Sequence, residues 1–409
     1  MKTIRNLILV IGLIISFYSC NNGSVEDQSP SDNRQYVVML SLDGFRWDYP
    51  DSLSTPNLDR IASMGVKAKS LKPAFPTKTF PNHYSMATGL YPDHHGLVQN
   101  SFYDPELELH YSMTDSASRN NPDFYDGEPI WETAEKNGLR AATFFWVGSD
   151  VMGAENLATY WKSYNESISF AARIDSVISW LNLPPKKRPE LIMWYLHEPD
   201  ATGHYSGPHS AATDSVVMAL DSMLGVFMAK IKKLPFHDQI NVIVTSDHGM
   251  GNISNNRKID LSEHLDSTWL YAIEGHNPNY LLQIKDTFLD TAFEKLQQVE
   301  HISVWKHGEV PKRLNYGHNP RTLDLIVLAD SAWSVTYGPK KIKYAATHGF
   351  DNMNKDMHAI FYAYGPAFRK NYVAEPFENV DLYSLIAEIL EIKPAETDGK
   401  LSRVKPMLK

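Results

Sequence analysis

The run YVVMLSL, Tyr36 to Leu42, followed at once by Asp43-Gly44, governs how the rest of the chain is read. It is short, apolar and closed by turn residues, so it reads as a strand buried on both faces. Runs of the same kind recur at Ala141 to Trp146, Leu191 to Leu196, Ile240 to Thr245 and His358 to Ala363. Between and beyond them lie segments with helical periodicity. Thr55 to Met64 has Pro56 near its start and Gly65 after its end, and Ile130 to Lys136 is closed by Asn137-Gly138. Phe170 to Leu183, Thr213 to Leu234 and Leu382 to Leu390 complete the set. Apolar strands separated by amphipathic helices specify an α/β fold: a mainly parallel central sheet flanked by helices. Residues 255–345 break that rhythm with shorter runs, Tyr280 to Ile284 and Leu323 to Ala329, and read as an inserted α+β cap subdomain. No internal repeat is apparent.

The chain has 409 residues, 43% hydrophobic and 21% charged, an ordinary globular balance. Lys and Arg number 39 and Asp and Glu 48, for a net charge of −9. An acidic chain without a basic block is poorly suited to holding long nucleic acid by its backbone. Cys20 is the one cysteine, so an intrachain disulfide and a thiolate zinc site are excluded, and a transition metal would need His and carboxylate ligands. Lys2 and Arg5 precede an apolar run, Leu7 to Phe17, shorter than the roughly 20 residues a spanning helix needs. That pattern fits a signal peptide over residues 1–19. Cys20 follows as in a bacterial lipobox, and the polar residues 20–34 read as a lipidated flexible tether. The expected location is the bacterial cell envelope, with membrane attachment through lipid on Cys20 and the body, residues 35–409, facing the periplasm or cell surface.

Ligands of open parallel sheets gather beyond the carboxyl ends of the strands. Asp43 follows the first strand, His197 and Asp200 a middle one, and Asp247 and His248 another. Asp200 and His204 stand four apart in DATGH, and His348 lies in Thr347-His348-Gly349. Together these are oxygen and nitrogen ligands suited to divalent zinc, and two ions about 4 Å apart can clamp a phosphoryl group. Taken singly the pieces say little: Asp-Gly is most often a turn. The segment FPTKTFPNHYSMATGLYPDHHGLVQN, residues 75–100, adds a hydroxyl. Pro81 suits the first turn of a helix and places Thr79 near its N-terminus, where an anion is favoured. On spacing alone Thr79 is a helix cap; as a nucleophile it would need a base or a metal.

Several motifs carry a closer likeness. Asp43-Gly44-Phe45-Arg46, Pro76-Thr77-Lys78-Thr79-Phe80-Pro81-Asn82-His83-Tyr84, Thr88-Gly89-Leu90-Tyr91-Pro92, Pro199-Asp200-x-x-Gly203-His204, Ser246-Asp247-His248-Gly249-Met250 and His348-Gly349-Phe350-Asp351-Asn352 occur in this order. They resemble the nucleotide pyrophosphatase/phosphodiesterase family of the alkaline phosphatase superfamily, from about residue 36 to the C-terminus. The resemblance implies two Zn2+ ions, one on Asp200, His204 and His348, the other on Asp43, Thr79, Asp247 and His248. It implies Thr79 as the nucleophile that forms a phospho-threonine ester, with the second step releasing a nucleoside 5′-monophosphate. Asn100 would donate to a phosphate oxygen together with the backbone N–H of Phe80. Phe80 and Tyr164 would sandwich a nucleobase, with Trp146 and Asp150 beside them, and Lys78 would steer phosphate or stand solvated. Gly203-His204-Tyr205-Ser206-Gly207-Pro208 departs from the family's Gly-His-Ser-Tyr-Gly-Pro, so the pocket tyrosine, Tyr205, is shifted by one. Val147 stands where proline is common and Phe350 where tyrosine is common, which leaves base preference open. A choline phosphodiester or lysophospholipid remains an alternative substrate, since aromatic rings also bind quaternary ammonium. A phosphomonoesterase remains a further alternative, although the threonine block has no arginine. The expected partner is a small phosphodiester; no protein partner is implied.

Overall fold

The first strand forms over Tyr36–Leu42 (β1), with every residue buried. Its side chains alternate as a pleated strand requires. Val37 and Met39 enter one apolar core, while Tyr36, Val38, Leu40 and Leu42 enter another on the opposite face. In this computed structural model residues 34–151 and 157–409 are described; the expected signal peptide and Cys20 lie outside the described residues.

Seven further strands join β1: β2 (Val66–Ala68), β3 (Ala141–Phe144), β4 (Tyr160–Lys162), β5 (Leu191–Leu196), β6 (Ile240–Thr245), β11 (Phe361–Tyr364) and β12 (Tyr372–Ala374). The order across the sheet is β12-β2-β11-β6-β1-β5-β3-β4. From β6 to β4 all neighbours are parallel. The sheet as a whole is mixed, which corrects the expectation of a mainly parallel one: β11 runs antiparallel to both β6 and β2. The reason lies in the preceding loop. Gly249 N–H donates to Met357 O and Trp47 N–H to His358 O, so the chain already stands at the carboxyl edge before β11 and has to run back.

One face is covered by α1 (Pro56–Met64), α4 (Phe170–Leu181) and α6 (Ala211–Ile231). Val217, Leu220, Leu224 and Phe227 form the buried stripe of α6, each such side chain contributing about 1.5–3 kcal/mol on burial. The other face is covered by α2 (Thr79–Thr88), α3 (Ile130–Lys136) and α8 (Asp381–Ile389). Strand β3 stops two residues before the expected Trp146, because Phe145 adopts a left-handed φ of 66°. That conformation costs a non-glycine residue on the order of 1–3 kcal/mol.

Within residues 255–345 a four-stranded antiparallel sheet is built from β7 (Leu270–His276), β8 (Asn279–Ile284), β9 (Ile302–Lys306) and β10 (Leu325–Ala329), in the order β7-β8-β10-β9. Helix α7 (Leu289–Gln297) buries Ala292 and Leu296 in a third core with Leu282, Ile284, Leu325 and Val327.

Candidate active site

Parallel register brings the chemistry together. Leu42 pairs with Leu196 and Ser41 with Thr245, so Asp43, the Asp200 helix and Asp247-His248 leave the sheet at one edge. The approach is close: Asp200 N–H donates to Asp43 O at 3.0 Å. Gly44 sits at φ 68°, and a Cβ there would lie 2.8 Å from the Asp200 Cβ, so only glycine lets the two acids meet.

Thr79 is the first residue of α2, and Lys78 before it makes no side-chain cap bond. The Thr79 hydroxyl lies 3.2 Å from His248 Nε2. Around them, His248 Nε2 is 3.0 Å from Asp247 Oδ2 and 3.5 Å from Asp43 Oδ1. Ligand atoms of Asp43, Asp247 and His248 fall within 4.8 Å of one another, and so do those of Asp200, His248 and His348. His204 Nε2 is 3.5 Å from Asp200 Oδ2, and His348 Nε2 is 3.7 Å from Asp200 Oδ1. The expected first set is thus drawn around Asp200, with His248 bridging toward it and His204 slightly outside.

The three imidazoles are oriented alike. Nδ1 of His204 faces Ala346 O at 2.9 Å, that of His248 faces Gly249 O at 2.8 Å and that of His348 faces Thr77 O at 2.8 Å. Backbone carbonyls fix the tautomer of ligating histidines in this way and leave Nε2 for a metal. Asp43 Oδ1, Asp200 Oδ1 and Asp247 Oδ2 are buried without a hydrogen bond. Orphaned carboxylate oxygens are costly in a protein interior, and facing three Nε2 atoms they fit a divalent cation. The electrostatics agree. Burial, then Asp247 and Asp200, push the Asp43 carboxyl well above its usual range, with the Tyr195 hydroxyl bond opposing. Burial would also raise Asp247, yet His248 and His83 draw it below the usual range. Burial and the neighbouring His248, Lys78 and His204 hold His348 well below the usual imidazole value, keeping it neutral as ligation requires.

Beside this centre lies a cavity of about 460 Å³, lined by Asp43, Thr79, Phe80, Trp146, Asp150, Tyr164 and Asp200 among the expected residues. Phe145, Arg119, Glu166, Tyr195 and His197 complete much of its wall. Three expectations need correction. Lys78 does not reach the cavity: its buried Nζ donates to Asn277 O at 2.8 Å and His348 O at 3.0 Å, and burial pushes its pKa down to about 7. Tyr205 does not line the cavity either. It follows His204 on α5 (Asp200–Ser206), and one residue along a helix turns a side chain by about 100°; its ring is 69% exposed against Tyr344. The Phe80 N–H is already donated to Asn100 Oδ1 at 2.9 Å, so the expected pair of donors reduces to the Asn100 amide, held in place by Phe80.

Two partners, half-buried Tyr195 and buried His83, were missed. Tyr195 donates to Asp43 Oδ2 at 2.6 Å; strand alternation opposite Trp194 and Leu196 was the available signal. His83 Nδ1 lies 3.0 Å from Thr79 O and 3.4 Å from Asp247 Oδ2, one helical turn after Thr79. Arg119 closes the four-residue helix Ser116–Arg119 and Glu166 lies in a turn, and neither belongs to a motif in the sequence.

Fold and site together define an α/β protein of alkaline phosphatase type, with a hydroxyl set among acidic and histidine side chains that could hold a metal ion. Residues 37–351 match the family model described as type I phosphodiesterase / nucleotide pyrophosphatase, and the chain belongs to that family. It is 36% identical over 396 residues to venom phosphodiesterase CdcPDE of Crotalus durissus collilineatus, covering 94% of this chain and 47% of that protein. It is 34% identical over 401 residues to ectonucleotide pyrophosphatase/phosphodiesterase family member 3 of Rattus norvegicus, covering 94% and 45%. The chain therefore spans about half the length of these curated relatives. Among solved structures, an inactive threonine-to-alanine form of murine ectonucleotide pyrophosphatase/phosphodiesterase 5 in complex with AMP is similar, at TM-score 0.87 and 34% identity, covering 92% of this chain and 100% of that one. The human counterpart gives TM-score 0.88 at 34% identity, with the same coverage.

Proposed function

We propose that this protein hydrolyses nucleotide phosphodiester and pyrophosphate bonds and releases nucleoside 5′-monophosphates, using two zinc ions and a phospho-threonine on Thr79. The observation that carries this reading is the Thr79 hydroxyl, held at a helix start 3.2 Å from His248 Nε2 and lining the cavity beside the buried acids. The AMP complex of the similar murine protein, made in a form inactivated by loss of a threonine, supports both the nucleotide and the nucleophile.

In the proposed arrangement Asp43, Asp247, His248 and Thr79 hold one zinc, and Asp200, His204 and His348 the other. Zinc bound there supplies Lewis acidity for the phosphoryl oxygens, the threonine oxygen and the attacking water. Thr79 Oγ attacks phosphorus in line, the P–O bond to the leaving group breaks, and that oxygen departs with the electron pair. The start of α2 favours the phosphate anion, and the Asn100 amide donates to it as charge develops; losing one such donor costs about 10²–10³ in rate. Phe80 and Tyr164 hold the base by stacking, with Trp146 and Asp150 at its edge. Water then cleaves the Thr79 ester and frees the monophosphate. Cys20 is proposed as the lipid attachment point that keeps the enzyme in the bacterial cell envelope.

The deciding experiment assays a nucleoside triphosphate, a dinucleotide, a choline phosphodiester and a simple phosphomonoester side by side. Preference for the first two is expected. A higher kcat/KM on the choline ester or the monoester would overturn the substrate class.

A further inference from the structure

His197 follows directly on β5, at the sheet edge where the acids gather, yet neither cluster of metal-suited groups includes it. It lines the cavity together with Glu166. Its Nε2 faces Glu166 Oε1 at 3.8 Å, too long for a hydrogen bond, and its Nδ1 is buried without a partner. Burial, then the nearby Arg173, hold the imidazole below its usual value, so the ring is neutral near pH 7. The proton of a neutral imidazole sits on the nitrogen that has an acceptor in view, which points the Nε2–H at the carboxylate. The pair is built into the cavity wall. Arg173 is wholly buried. It donates from Nε to Ile168 O at 2.9 Å, from Nη1 to Tyr195 O at 3.3 Å and from Nη2 to Glu166 O at 3.5 Å. Its guanidinium also lies 4.9 Å from the Phe145 ring and 5.0 Å from the Phe170 ring, and Phe170 meets the His197 ring edge-on at 5.2 Å. One side chain thus ties the segment carrying Tyr164 and Glu166 to the strand that leads to His197.

Position decides what the pair can touch. The transferred nucleotide has to run from phosphorus at Thr79 to a base between Phe80 and Tyr164. Glu166 lies two residues beyond Tyr164, and His197 three before Asp200. The pair therefore stands between the base wall and the acids at the phosphate end, where a nucleotide has its sugar. A ribose presents two adjacent hydroxyls. A carboxylate accepts from both, and an imidazole N–H donates to one of them; a lone acidic side chain reads the ribose 2′-hydroxyl in the same manner in dinucleotide-binding folds. The gap between Nε2 and Oε1 lets one hydroxyl oxygen meet both groups at once. We infer that His197 and Glu166 form a ribose-diol subsite that selects ribonucleotides over their deoxy counterparts. This inference rests on the nucleotide reading above and specifies the sugar of the transferred nucleotide.

The test measures kcat/KM of the zinc-loaded enzyme for four substrates that differ only in the sugar: ATP, 2′-deoxyATP, 3′-deoxyATP and 2′,3′-dideoxyATP. The unsubstituted enzyme is expected to favour ATP over the dideoxy compound roughly tenfold, the scale of a hydrogen bond to a charged group, with the two monodeoxy compounds between them. Glu166→Ala should bring that ratio to within about twofold of one, and Glu166→Gln, which keeps an acceptor without the charge, should retain part of it. His197→Phe keeps a ring against Phe170 and removes the donor, so it should narrow the ratio, whereas His197→Gln should narrow it less. Four substrates treated alike by the unsubstituted enzyme would overturn the subsite and leave the nucleotide reading intact. So would a ratio left unchanged by Glu166→Ala or by His197→Phe, or losses equal on all four. Failure of the unsubstituted enzyme to turn over any of them would overturn that reading and the subsite with it.

Discussion

Thr79 and Tyr195 show how far single residues can be read. Thr79 read as a helix cap on spacing and as a nucleophile only through the family resemblance; its hydroxyl lies 3.2 Å from His248 Nε2. Thr79→Ala is expected to reduce turnover at least about a thousandfold, while zinc content, measured by elemental analysis, stays near that of the parent because Asp43, Asp247 and His248 remain. Unchanged turnover would remove Thr79 as nucleophile. Tyr195 carried no motif, and its role follows from geometry alone, a hydroxyl given to Asp43 Oδ2 at 2.6 Å. Removing an outer partner of a ligating carboxylate typically costs about 10–100-fold in metal affinity or activity. Tyr195→Phe should weaken zinc binding by that factor in a competition titration with a chromophoric chelator. Lys78 and Tyr205 were misread because a sequence gives a residue's position on an element before it gives the direction of its side chain.

At the scale of elements, periodicity located the strands and helices well and failed on direction. An apolar run is the same whichever way it is traversed, so β11 could not be oriented until the loop from His348 to His358 was placed. Strand β3 ended early for a local reason, the left-handed turn at Phe145, which no propensity marks. Helix α2 offers a measurable consequence. His95 is buried, its Nε2 2.9 Å from Ser85 Oγ and 3.1 Å from Pro81 O, and burial holds its pKa down at about 3. The unfolded chain takes up a proton near pH 6.5 that the folded ring refuses. Its contribution is therefore intact above pH 6.5 and is lost as pH falls toward 3, at up to about 1.4 kcal/mol per pH unit. The melting temperature should drop between pH 6.5 and 4, and His95→Gln should make that slope shallower in calorimetry; an identical slope would show that His95 does not titrate on unfolding.

For the molecule as a whole, the acids gathered at the sheet edge make folding depend on what they bind. Asp43, Asp200 and Asp247 each bury an oxygen without a hydrogen bond, so a cation that binds only the folded form stabilises it by mass action. Chelation is expected to abolish activity and lower the melting temperature by about 10 °C at saturating zinc, with both restored by added zinc. A melting temperature indifferent to chelator would speak against these residues as ligands. The α/β class and the order of the motifs were legible in the sequence because they depend on patterning. The cavity wall at Arg119 and Glu166 was not, because it is assembled from a four-residue helix and a turn whose placement only the packed protein defines.

The Lys78 ammonium bears on any attempt to miniaturise this protein. Of its two acceptors, Asn277 O lies within residues 255–345 and His348 O just beyond them. Excising that segment would take away one of the two acceptors and leave the Lys78 amine short of a partner one residue from Thr79. A trimmed scaffold would have to redesign position 78 in the same stroke.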